Sequence, residues 1–146
     1  MMRIFLDANV LFSAAYSDGA VRRLFADIQT TGHTIVADRY VIEEAIRNLS
    51  IHRPEAIAFF HGMTTSLTVV PTRQWSEKIP PDIPLPEKDI PVLAGAIAAH
   101  CEILTTGDSR HFGPLYGRTI GGTTIRSLLD TALALFGPAG PRAAMM

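Results

Sequence analysis

Apolar residues in this chain come in short runs whose period changes along the sequence, and the changes mark out a succession of strands and helices. Arg3-Ile-Phe-Leu6 is a continuous β-favouring run that stops at Asp7, which predicts a strand buried on both faces. From Gly19 to Gln29 the apolar positions Val21, Leu24, Phe25 and Ile28 recur at steps of three and four, predicting a helix that Gly32 ends. Thr34-Ile-Val-Ala37 reads as a second strand. Asp38 then caps a helix with Val41, Ile42, Ala45, Ile46 and Leu49 on one face. Glu55 to Met63 supplies another amphipathic helix, and Leu67-Thr-Val-Val70 a third strand that Pro71 terminates.

Residues 79–91 hold five prolines and read as an extended connector. Pro91 suits the first turn of a helix through Leu93, Ala94, Ile97 and Ala98, because its missing N–H needs no partner there. Ile103-Leu-Thr-Thr106 follows as a fourth strand with Gly107-Asp108 as its turn. A weaker fifth strand is expected near Arg118 to Ile120, and a last helix through Ile125, Leu128, Leu129, Ala132 and Leu135. Strands that alternate with helices and are apolar along their whole length imply an α/β fold: three layers, α/β/α, around a parallel sheet of four to five strands. One domain over 1–136 and a flexible tail over 137–146 are expected, the latter from Gly137-Pro-Ala-Gly-Pro141.

Bulk properties narrow the function. A chain of 146 residues builds one core and hence one principal site. The longest apolar stretch, Pro91 to Ala99, is about half the length of a bilayer crossing, so no membrane span is expected. Asp7 and Asn9 interrupt the region where a signal peptide would be apolar, and Cys101 is alone; both favour a cytoplasmic location. The formal net charge of −1 excludes a broadly basic nucleic-acid binder. A local rim could still form from Arg22, Arg23, Arg39, Arg47, Arg53, Arg110 and Arg118, although a solvated helix-face arginine is the more ordinary role for each.

In open parallel sheets ligands bind outside the carboxyl ends of the strands, and this rule sorts the acids. Asp7 closes the first strand, Asp108 follows the fourth, Asp89 opens the helix feeding the fourth, and Glu43 or Glu44 lies just after the second. Singly, each has an ordinary role: Asp89 as a helix cap, Asp7 and Asp108 in polar turns, a glutamate as a solvated helix residue. Converging on one edge they have none, because clustered carboxylates cost stability unless a cation neutralises them. Lys78 and Lys88 are the only lysines. An all-oxygen donor set favours Mg²⁺ or Mn²⁺ over zinc, and such an ion among carboxylates suits phosphodiester hydrolysis. Helical spacing leaves Glu43 and Glu44 equally far from the centre of the apolar arc, so it does not choose between them.

Four segments in order, Ile4-Phe-Leu-Asp-Ala-Asn-Val-Leu11, Val41-Ile-Glu-Glu-Ala-Ile-Arg-Asn-Leu49, Asp89-Ile-Pro-Val-Leu-Ala-Gly-Ala96 and Ile103-Leu-Thr-Thr-Gly-Asp108, give a chain that resembles the PIN-domain proteins, in the style of their toxin-like bacterial branch. The likeness runs from Arg3 to about Leu128. It implies a Mg²⁺- or Mn²⁺-dependent endoribonuclease acting on RNA, with Asp7, Glu44, Asp89 and Asp108 as catalytic and metal-binding residues and Asn9 orienting Asp7. The glutamate directly before a small residue is the family's, which favours Glu44 over Glu43. A homodimer and a cognate antitoxin are further implications of the resemblance.

His33, His52, His61, His100 and His111 are candidate bases by chemistry, but only His111 falls near the proposed edge, and a capping or surface role is expected for it. Trp75 and the phenylalanines are expected to be packing groups. Two other functions fit the same start of the chain. One is a haloacid-dehalogenase-like phosphotransferase with Asp7 as nucleophile, weakened because Asn9 stands where a second acid would be expected. The other is a PIN-fold module that binds protein or RNA without cutting.

Overall fold

The computed structural model describes residues 1–138, so the expected tail lies outside the described residues from residue 139 onward. β1 (Arg3–Leu6) passes through Asp7 directly into α1 (Ala8–Tyr16), and α2 (Ala20–Thr30) leads through Gly32, at φ 84°, to β2 (Thr34–Asp38). α3 (Arg39–His52) starts where the Asp38 carboxylate accepts a hydrogen bond from the Val41 N–H. A 3-10 turn over Pro54–Ala56, α4 (Ile57–Thr64) and β3 (Thr68–Val70) complete the first half. Beyond the proline-rich connector, a 3-10 turn over Glu87–Asp89 opens α5 (Ile90–Ala98), and β4 (Ile103–Thr105) follows. α6 (Ser109–Phe112), a 3-10 turn over Gly113–Leu115, β5 (Thr119–Ile120), β6 (Thr123–Arg126) and α7 (Leu128–Phe136) end the described chain.

The strands form one sheet in the order β3-β2-β1-β4-β6-β5, parallel except for the β5–β6 pair. In β1, β2 and β4 successive residues are buried, as in Ile4, Phe5 and Leu6. Neighbouring residues of a strand point to opposite faces, so helices must cover both, which makes the fold the three-layer α/β arrangement expected. From β1 the chain moves outward to β2 and β3, then returns to β4 on the other side of β1. The point where the order reverses therefore lies between β1 and β4, the place where such sheets open a crevice at their carboxyl ends.

Three details differ from the sequence reading. α1 has no separate signature, because five of its nine residues, Ala8, Val10, Leu11, Ala14 and Ala15, are buried, leaving no broad polar face to show a helical period. The sheet has six strands rather than four to five, the last two forming a hairpin whose turn, Gly121-Gly122, has φ of 58° and 88°. Two consecutive positive φ angles favour glycine, and Gly-Gly between β-branched runs is a hairpin signal. Ile125 belongs to β6 and not to the last helix; α7 starts at Leu128, with Ser127 as its cap accepting from the Asp130 N–H. The steps of three and four from Ile125 through Leu128 to Leu129 and Ala132 imitate a helix across that boundary.

Candidate metal centre

Asp7 lies at the mouth of the crevice, its N–H bonded to the Thr105 carbonyl at 3.0 Å so that the ends of β1 and β4 are tied together. Its Oδ1 accepts from the Ala8 N–H at 2.7 Å. Its Oδ2 accepts from the buried Thr106 hydroxyl at 2.8 Å and from the Asn9 amide at 3.3 Å. Asn9 is itself held by the Gly107 N–H, which donates to its Oδ1 at 2.7 Å, and Thr106 Oγ1 also accepts from the Asp108 N–H at 3.1 Å. A small network thus links the first acid to the loop that carries the fourth. Burial pushes the Asp7 carboxyl up to about 6; the Thr106 and Ala8 hydrogen bonds oppose this, and the charges of Glu44 and Asp89 add to it.

Glu44 is half-buried on α3 and its charge reaches Asp7, whereas Glu43 is exposed and pairs with Arg39 across one turn at 3.8 Å. Of the two glutamates that spacing left undecided, Glu44 is the one facing the other acids. Asp89 occupies the cap position of α5 but makes no capping hydrogen bond, so the ordinary explanation for an acid there does not hold. Its Oδ1 is 3.4 Å from the Lys88 ammonium, and its Oδ2 is buried with no hydrogen-bond partner. The His111 ring explains that vacancy of partners. Nδ1 of His111 is 2.8 Å from Asp108 Oδ2 and 3.3 Å from Asp89 Oδ2; it carries one hydrogen, which the shorter contact takes.

Asp89, Asp108 and His111 each offer a ligand atom within 4.8 Å of the others. The charges of Glu44 and Asp89 both reach Asp7, and those of Asp89, Glu44 and Asp108 all reach Lys88, so the four expected acids lie near one another at this edge. The donor set suits a hard divalent cation: it is mostly carboxylate oxygen, one of those oxygens is buried without a hydrogen bond, and Asp7 resists ionisation without a compensating charge. A single imidazole among carboxylates does not make it a zinc site, since zinc centres draw mainly on Cys and His donors.

Sequence reasoning missed three contributors. Thr106 bonds both ends of the network, a role hidden because threonine is also an ordinary strand residue. His111, expected near the edge in a capping or surface role, is in direct contact with two of the acids. The Tyr116 hydroxyl, held by donating to the Thr106 carbonyl at 2.9 Å, is raised in pKa by burial and then by the charges of Asp108, Asp130 and Asp7. Conversely, Trp75 is 67% exposed rather than packed. Among the candidate arginines, Arg22 and Arg53 bond the last carbonyls of α1 (Ala14 and Ala15, and Tyr16), and Arg39 pairs with Glu43, so these three do not build a rim around the acids. Among the described residues no helix is long and apolar enough to cross a membrane.

No family profile matches the chain, and no curated protein matches it in sequence. Solved structures do. The fold is similar to that in the crystal structure of VapBC2 from Rickettsia felis bound to a DNA fragment from their promoter, at 15% identity, a TM-score of 0.59, and coverage of 86% of this chain and 98% of that one. It is also similar to that of VapBC-1 from nontypeable Haemophilus influenzae, at 13% identity, a TM-score of 0.55 and the same coverage of both chains. The PIN-type fold anticipated from four short motifs is thereby borne out as a likeness of fold.

Proposed function

We propose that this chain is a metal-dependent endoribonuclease centred on Asp7, Glu44, Asp89 and Asp108. One observation carries the reading: carboxylates from four separate segments act on one another's surroundings near the point where the strand order reverses, one of them with a buried oxygen that accepts no hydrogen bond. Such a cluster is unfavourable alone and becomes favourable around a divalent cation. Mg²⁺ or Mn²⁺ held by these oxygens would supply Lewis acidity and charge neutralisation for attack of water on a phosphodiester.

The protein's own groups divide the remaining work. Thr106 and Asn9 fix the rotamer of Asp7, leaving its carboxylate edge toward the crevice. His111 holds Asp108 by one oxygen and so fixes its orientation. Glu44, less buried than Asp7, would accept the proton of the attacking water. Lys88, 65% exposed at its side chain beside Asp89, meets the phosphate as substrate enters. Asn9, standing where a phosphotransferase would carry its second acid, donates to Asp7 instead, which weighs against Asp7 as a covalent nucleophile. The likeness in fold to VapBC complexes supports a cognate antitoxin as partner; the homodimer rests on the resemblance read in the sequence, and the cytoplasmic location on the sequence itself.

Incubating purified protein with end-labelled RNA of mixed sequence tests this. Cleavage is expected with Mg²⁺ or Mn²⁺, none with EDTA, and recovery when metal is added back in excess. A folded protein that binds RNA but cuts it with neither metal would be a binding module instead.

A further inference from the structure

Next to the acids opens a broad cleft of about 550 Å³ lined by Tyr40, Gln74, Pro86, Glu87, Lys88 and Pro91. It is larger than the clefts of about 280 and 270 Å³ around Tyr16 and Ser17, which contain none of the four acids, and its size suits a small organic group. Two of its residues tie it to the crevice. Tyr40 precedes Glu44 by four residues on α3, so the two side chains leave the helix on one face, and Lys88 directly precedes Asp89.

Tyr40 is not free to act as an acid there. Its hydroxyl donates to the Lys88 carbonyl at 2.6 Å, and burial, followed by the charges of Glu44 and Asp89, raises its pKa. What it presents is an aromatic ring held in place from the 3-10 turn that leads to Asp89. Pro86 and Pro91 add rigid apolar surface with no N–H to satisfy. Gln74 is exposed and brings one acceptor and two donors, and Lys88 keeps donors beyond its contact with Asp89. A fixed ring, flat apolar walls, an amide and an ammonium match the face, edge and phosphate of a nucleotide.

We infer that this cleft seats an unpaired base of the RNA beside the scissile phosphate, stacked on Tyr40 and read at its edge by Gln74. The inference rests on the ribonuclease reading for its choice of RNA and adds to it a source of cleavage preference. Trp75, the chain's single tryptophan, follows Gln74 and is 67% exposed, so its emission offers a readout beside the cleft.

The test is a fluorescence titration of the full chain in EDTA with a short single-stranded oligoribonucleotide and with its abasic counterpart, which keeps every phosphate. A saturable change with the first, and a much weaker one with the second, is expected. Tyr40→Ala should weaken binding about 5- to 100-fold, the range measured for loss of one base–aromatic stack. Tyr40→Phe, which keeps the ring, should stay within about threefold of wild type by the same reasoning. Cut positions on mixed RNA should lose their base preference in Tyr40→Ala. Equal binding of the abasic strand would overturn the inference, as would unchanged affinity and unchanged cut positions in a folded Tyr40→Ala, and in both cases metal-dependent cleavage by wild type leaves the ribonuclease reading standing. Base-dependent binding by a protein that never cuts RNA would sink that reading and keep the cleft.

Discussion

Asp7 is 5% exposed yet sits among three other acids, and its protonation links the stability of the protein to metal. Its carboxyl is raised from 3.8 to about 6. Without metal, the folded chain therefore keeps a proton that the unfolded chain has released, and the stabilisation this brings is complete below about pH 4 and lost as pH rises through about 6. The shift corresponds to about 3 kcal/mol at most. Thermal unfolding in EDTA should show wild type losing more stability than Asp7→Asn between about pH 4 and about pH 6.5, and Mg²⁺ should restore wild type alone at the upper pH. Parallel pH profiles for the two proteins would remove Asp7 as the seat of the linkage. That Asp7 and Asp108 lie at the carboxyl edge of the sheet was legible in the sequence because each follows a strand. The role of Thr106 was not, since a hydrogen bond spanning 99 residues leaves no local pattern.

At the scale of elements, the packing of α5 on α3 sets how far Asp89 lies from Glu44. Gly95 is where α5 meets the sheet just before α3 begins: a Cβ there would lie 2.7 Å from Oδ2 of Asp38, the last residue of β2, and 3.5 Å from the Phe5 ring of β1. Asp38 cannot easily withdraw, as it is wholly buried and its other oxygen caps α3. Gly95→Ala should destabilise the fold by about 1–3 kcal/mol, as overpacking does. The double variant Gly95→Ala/Asp38→Ser, which keeps a capping hydroxyl in a smaller side chain, should recover part of that in urea unfolding. Strict additivity of the two substitutions would mean the pair does not meet. Sequence period found α2, α3 and the central strands, whose polar and apolar positions are sorted by exposure. It failed at α1, buried on too many sides, and at β6, where strand and helix share one apolar progression.

For the whole molecule, the sheet order decides the function more than any single motif does. The acids lie between residues 7 and 108 in sequence, and only the return of the chain to β4 beside β1 brings them together. The alternation of strand and helix made the class of fold legible; the position of the reversal came from three-dimensional pairing that no local signal encodes. The choice between Glu43 and Glu44 is the sharpest consequence of that arrangement, because the two are adjacent, chemically identical and separated only by which side of α3 they leave. Single-turnover cleavage of RNA with saturating Mg²⁺ should therefore be measured for wild type, the double variant Asp7→Asn/Asp89→Asn, Glu44→Gln and Glu43→Gln, each first shown to be folded by circular dichroism. Loss of cleavage in the double variant, a fall of about 10²- to 10⁴-fold in Glu44→Gln and a wild-type rate in Glu43→Gln are the results this account predicts. Cleavage that survives the double variant, or that depends on Glu43 and not on Glu44, would contradict it.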